Sequence, residues 1–167
     1  MWRARHSNYQ ICTRSLAKAG KRHRAREWVL RALYAEEMRE EPGHDSLASL
    51  LQHDPPDELD EPFARKLYAQ VLESDTRYDE EIEKYLQNWD LKRLAIIDLL
   101  LLRCALAEMD GFPDIPHQVT LNETIELAKR YSGGQAGAFV NGVLDAIIKG
   151  RENKSKDTHT PKGDGLT

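Results

Sequence analysis

The segment Leu91–Met109, LKRLAIIDLLLLRCALAEM, constrains the fold more than any other part of the chain. Its middle, Leu94 to Ala107, is apolar nearly all round and broken only by Asp98 and Arg103. A helix of that character has no face to offer to water, so it has to be a central rod covered by other helices. It is also too charged for a bilayer, which asks for about 18–20 uncharged residues in a row. Asp98 and Arg103 project about 140° from one another and are poor partners within one helix. Each therefore needs a partner on another element or a place at the surface, because an unpaired buried charge is costly or gives up its ionisation. Arg103 reads as a structural hydrogen-bonding hub, while Asp98 stays open between the two: exposed on a central helix, it would suit a protein partner.

The other apolar residues keep the helical period, and no segment alternates as a half-buried strand would. A first helix is expected from about Arg22 to Glu40, with a core stripe of Ala25, Trp28, Val29, Ala32 and Leu33 and with Pro42 and Gly43 as terminators. Leu30 and Tyr34 fall opposite that stripe. Either a second helix covers them or they form a contact surface. A short helix over Ser46–His53 precedes the loop DPPDELDEP. Pro62 suits the first turn of a third helix that buries Phe63, Leu67, Val71 and Leu72. A further short helix carries Tyr78, Ile82, Tyr85 and Leu86. Thr120-Leu121-Asn122-Glu123 matches a capping box opening the sixth helix, and the glycines of YSGG close it. The last helix runs from about Ala136 to Lys149 and buries Phe139, Val140, Val143, Leu144, Ile147 and Ile148. The pattern predicts one all-α domain of about seven helices over 21–149. Residues 1–20 form a basic extension whose composition is shared by transit peptides and disordered tails, the latter being expected; 150–167 form a polar tail, also expected to be disordered.

Charge is unevenly spread. Residues 1–31 carry nine Lys or Arg against a single acid, Glu27, although the whole chain has a formal charge of -4. The densest stretch is KRHRAREWVLRALYAEE from Lys21. A cationic end on an acidic body suits a polyanion at one pole and repels it elsewhere. Helical spacing groups Arg24, Glu27 and Arg31, and such a patch can neutralise phosphates and stack on bases. A solvated charge run is the plainer alternative. In YSGGQAGAFVNGVLD, three glycines surround a helix start able to receive an anion, and Gly142 inside the helix suggests close backbone approach. Tight packing and a solvated edge formed by Asn141 and Asp145 would explain the same residues.

Catalytic motifs are not apparent. The six histidines are scattered without HExxH or a nucleophile–base arrangement, and no Walker A sequence is present. Cys12 and Cys104 are the only cysteines, which gives neither a disulfide framework nor a zinc site and makes a reducing, cytoplasmic setting the default expectation. No cofactor and no metal are expected.

Three stretches, KRHRAREWVLRALYAEEM, LKRLAIIDLLLLRCALAEM and VTLNETIELAKRYSGGQAGAFVNGVLDAI, together resemble the NusB family of bacterial transcription antitermination factors. The resemblance spans about Lys21 to Lys149 and implies two packed helical bundles without a catalytic centre. It further implies pairing with NusE, a small-subunit ribosomal protein. The pair would bind single-stranded boxA RNA of nascent ribosomal RNA transcripts and join RNA polymerase with other Nus factors, so that terminators are read through. Arg22, His23, Arg24 and Arg26 match the family's RNA-contacting arm, with Lys21 beside them. Phe139 and Asn141 match its closing motif beside the RNA surface, and Tyr34 and Asp98 match positions near the NusE and RNA surfaces.

Three residues depart from the pattern. His23 stands where the family usually has Arg, so one cation becomes partial near neutral pH. Ala107 replaces an aromatic, and Trp28 enlarges a position usually smaller. Two other readings compete. One is the NusB-like RNA-binding module of an RNA cytosine methyltransferase, for whose catalytic domain 167 residues leave no room. The other is a purely protein-binding helical scaffold.

Overall fold

The apolar periods become helices throughout. The computed structural model describes residues 20–39, 45–86 and 90–157, and among them no strand forms. Six α-helices follow in order: α1 Lys21–Glu37, α2 Ser46–His53, α3 Glu61–Glu83, α4 Ile96–Gly111, α5 His117–Tyr131 and α6 Ala136–Asp157, with a single 3-10 turn at Leu91–Arg93 before α4. None of these helices is long and apolar enough to cross a membrane. Residues 1–19 and 158–167, which hold most of the expected basic extension and polar tail, lie outside the described residues, as do Pro42 and Gly43.

The count is six rather than seven because the expected third and fourth helices are one. Ser74 leaves helical geometry at φ -131° and ψ 18°, bending α3 without ending it. Phe63, Ala64, Leu67, Tyr68 and Val71 line the buried side of its first half, and Tyr78 and Ile82 that of the second. Leu72, expected inside, is 45% exposed. At 100° per residue it lies about 110° from the centre of the stripe formed by its neighbours, on the solvent flank.

The central rod starts later than expected. Leu91 to Arg93 form the 3-10 turn, and α4 is unbroken in burial from Leu100 to Met109. Helices α1, α3, α5 and α6 all pack against it. Helices α1, α2 and α3 form one bundle and α4, α5 and α6 the other, and α3 joins the two by meeting both α4 and α6. Arg103 is the expected hub: its guanidinium donates to both carboxylate oxygens of Asp79 at 2.7 Å and to Glu37 at 2.9 Å, tying α4 to α3 and α1.

Helix α5 opens at His117, one turn before the apparent capping box. Thr120 is 1% exposed and its hydroxyl donates to Glu108 at 2.7 Å, so it serves the core and not the helix end. Gly133, at φ 109°, follows α5, and its N–H reaches the Ala128 carbonyl at 3.2 Å in the left-handed closure expected of YSGG.

Helix α6 continues to Asp157, past the expected boundary at Lys149. Its extension is docked. Gly150 lies so close to Tyr85 that a Cβ there would overlap the phenol hydroxyl. Arg151 donates to both oxygens of Glu81 at 2.8 and 2.6 Å and to Asp110 at 2.7 Å. Arg77 completes the cluster through Asp110.

Candidate nucleic-acid interface

Helix α1 is buried on two faces, and this decides which of its cations can reach a ligand. Ala25, Trp28, Val29, Ala32 and Leu33 form the expected stripe, while Arg26 and Leu30, one turn apart, are also buried at 7% and 2% exposure. The second face packs towards α4. Arg26 donates to Glu108 through two bonds of 2.7 Å, and Glu108 is itself 2% exposed. The resemblance puts Arg26 in the RNA arm; its fork is instead consumed inside the protein. The wheel position that it shares with Leu30 is the signal, once a helix is assigned to cover Leu30.

His23 is half-buried, and its Nδ1 lies 2.6 Å from Glu123 on α5. The hydrogen bond with His23, aided by Arg26 at 3.5 Å, holds Glu123 below its ordinary carboxylate value, against burial that raises it. Lys21 and Arg22 are exposed, and Arg24 is half-buried at the helix edge. Arg22 also lies over the Phe63 ring at 5.4 Å, on the same ring that Arg26 approaches at 5.1 Å.

Further along α1, Glu27 is 3% exposed yet has two partners from α5: Arg130 at 3.4 Å and the Tyr131 hydroxyl. Burial and the Glu27 carboxylate push the Tyr131 phenol well above its usual range, so it remains a donor. Arg31 lies in the electrostatic reach of Tyr131 as well. The grouping of Arg24, Glu27 and Arg31 therefore exists, with Glu27 sunk beneath it and Arg130 of α5 added. Pairwise spacing along one helix could not reveal Arg130. Its place in the last turn of α5, followed by Tyr131, was the available sign.

The end of α5 thus fastens the middle of α1 to the glycine turn leading into α6. Phe139 is half-buried against the core, whereas Asn141 is exposed and points about 160° away from it around α6. The expectation of close approach at Gly142 fails: a Cβ there would meet nothing within 4 Å. Its neighbours Ala138 and Asn141 are exposed too.

Tyr34 and Asp98 lie elsewhere. Pairing of Arg26 with Glu108 and of Glu37 with Arg103 runs α4 back along α1. Asp98, in the first turn of α4, is therefore carried towards the C-terminal end of α1, where Tyr34 packs half-buried against the core. Asp98 is half-buried, and its Oδ1 has no hydrogen-bond partner among the described residues. Ala107 is fully buried, and Trp28 donates its indole N–H to the Asp54 carbonyl at 3.2 Å.

The family model described as the NusB family matches residues 23–149. The chain belongs to the NusB family. A transcription antitermination protein NusB from Salinibacter ruber is 40% identical over 142 residues, covering 80% of this chain and 88% of that relative. One from Desulfatibacillum aliphaticivorans is 36% identical over 139 residues, covering 82% and 97%. Among solved structures, NusB of T. maritima superposes with a TM-score of 0.68 at 36% identity, covering 78% of this chain and 92% of that one. A structure of the antitermination factors NusB and NusE in complex with double-stranded RNA superposes at 0.70 with 27% identity, covering 78% and 97%. The NusB fold is thus the frame on which the cations of α1 and Arg130 are displayed.

Proposed function

We propose that this chain is a transcription antitermination factor: a non-catalytic adaptor that, with NusE, binds boxA RNA of nascent ribosomal RNA transcripts and helps RNA polymerase read through terminators. The observation that carries this reading is the pairing of Arg130 on α5 with the buried Glu27 of α1, which, in a NusB-family chain, adds a further cation to the helix that carries Arg22, Arg24 and Arg31. Lys21, Arg22 and Arg24 supply phosphate contacts, with Arg31 and Arg130 extending the track. Asn141, exposed on α6, would meet bases, while His23 and Phe139 would shape the surface from half-buried positions. Arg26 acts from beneath by holding α1 to α4. The acidic remainder of the chain repels RNA and suits a basic ribosomal protein, whose approach electrostatic complementarity would speed. Tyr34 and Asp98 form the NusE side, and a cationic donor from NusE would satisfy the unpaired Asp98 oxygen.

Fluorescence anisotropy with a labelled boxA oligonucleotide and a scrambled one, with and without NusE, tests the reading. Arg22→Ala with Arg24→Ala should weaken binding and flatten its salt dependence by about 0.7 for each phosphate that is no longer neutralised. Equal binding of both oligonucleotides under both conditions would refute the assignment. Asp98→Lys should abolish NusE affinity by calorimetry while leaving helicity unchanged.

A further inference from the structure

The cationic end of α1 is already covered by anions of the chain itself. Five of the eight residues 54–61, DPPDELDE, are acidic and none is basic. This segment leaves α2, crosses the basic end of α1 and enters α3. Asp54 accepts from Arg31 at 2.8 Å, and its carbonyl accepts from the Trp28 indole at 3.2 Å. The Glu58 carbonyl accepts from Arg24 at 3.3 Å. Asp60 accepts from Arg22 at 3.2 Å, and its own N–H donates to the Lys21 carbonyl at 3.4 Å. Asp114 adds a second anion 3.7 Å from Arg22.

The segment is held in place by more than charge. Pro55 and Pro56 fix two φ angles. Leu59 packs against the core, and the Asp60 carboxylate also caps α3 through the Phe63 N–H at 3.2 Å. The ion pairs themselves are solvent-washed. Each pair has one well exposed member, Arg22 at 49% beside Asp60 at 30% and Asp54 at 59% beside Arg31 at 24%, which leaves both open to exchange with solvent ions. A carboxylate offers a guanidinium the same planar pair of acceptors that a phosphate does.

We propose that residues 54–61 form an acidic strap that occupies Arg22 and Arg31 with phosphate-like charge and Arg24 with a main-chain carbonyl, and that any RNA backbone has to displace. The proposal rests on the RNA-binding reading above. Sequence-independent binding consists almost wholly of phosphate contacts, so the strap pushes it below the working range of concentration. An RNA that also makes base contacts suffers the same penalty from a tighter starting affinity, and remains bound. The large Trp28 has a role in this scheme: it pins the Asp54 end through the backbone, independently of the charge pairs.

The test is titration of the full chain with a fluorescein-labelled uridine 12-mer over a range of salt. Asp54→Asn with Asp60→Asn removes two charges while keeping an asparagine able to cap α3. It should tighten binding about three- to tenfold near ~0.1 M salt and steepen the salt slope by up to about 1.4. Glu80→Gln with Glu83→Gln, two exposed acids on the far half of α3, makes the same change of net charge away from the arm. An equal gain from that control overturns the strap. So does persistence of the gain when Arg22 and Arg31 are both changed to Ala, or no gain at all while Arg22→Ala with Arg24→Ala still weakens binding. If those arginine substitutions leave uridine 12-mer binding unchanged, the RNA-binding reading fails and takes the strap with it.

Discussion

Replacing Arg26 by Ala separates the interior of α1 from its surface. Arg26 is 7% exposed and Glu108 2%. The substitution deletes two charge-assisted bonds of 2.7 Å and leaves the Glu108 carboxylate with the Thr120 hydroxyl, also at 2.7 Å. An uncompensated buried charge of this kind costs about 3–5 kcal/mol. For a chain of this size that corresponds to a fall in Tm of roughly 6–20 °C. Urea denaturation followed by circular dichroism measures it directly. A loss below about 1 kcal/mol would mean that the pair behaves as a solvated surface bridge, and the case for moving Arg26 out of the RNA arm would fail.

A second variant removes the ambiguity of a weakened fold. Arg26→Met, Glu108→Leu and Thr120→Val together replace the polar cluster by apolar groups, which should hold stability within about 1–2 kcal/mol of the parent. That folded triple variant should bind RNA as the parent does. Weaker RNA binding by it would return Arg26 to the interface.

Gly150→Ala drives a methyl into the Tyr85 hydroxyl and should cost about 1–3 kcal/mol in urea melts, with Tyr85→Leu relieving most of it. Glu81, held below its ordinary value chiefly by Arg151, and Glu123, held below chiefly by His23, both have folded pKa values under the unfolded 4.5. Their stabilisation is complete above that pH and is lost as acid takes the solution down through the folded values, so a pH series of melts should show stability falling below about pH 4.5. Burial pushes the Cys104 thiol up to about 12, and its reaction with a thiol reagent at pH 8 should await unfolding in denaturant.

Elements were legible in the sequence wherever one apolar face decided them. The rod of α4, the stripe of α1 and the glycine closure of α5 follow from period and turn chemistry alone. Local signals failed where a distant residue had first claim on the same atoms. Thr120 has the spacing of a capping box, but Glu108, twelve positions earlier, takes its hydroxyl. Arg26 has the composition of a phosphate-binding arm, but Glu108 takes its fork from 82 positions away. Ser74 carries no breaker chemistry, so nothing local said that two helical runs would join through a bend. The strap is the reverse case: its acids are plain in the sequence, while their position over the α1 arginines depends on how α2 and α3 are set against α1.

The rod shared by the two bundles has a consequence for how the molecule comes apart. Neither 20–86 nor 90–157 encloses a finished interior, since α1 and α3 lie on one side of the cut and the α4 surfaces that they cover lie on the other. Cleavage between residues 86 and 90 should therefore yield two pieces that stay molten when separated and regain a single sharp melt on mixing, each serving as the other's template.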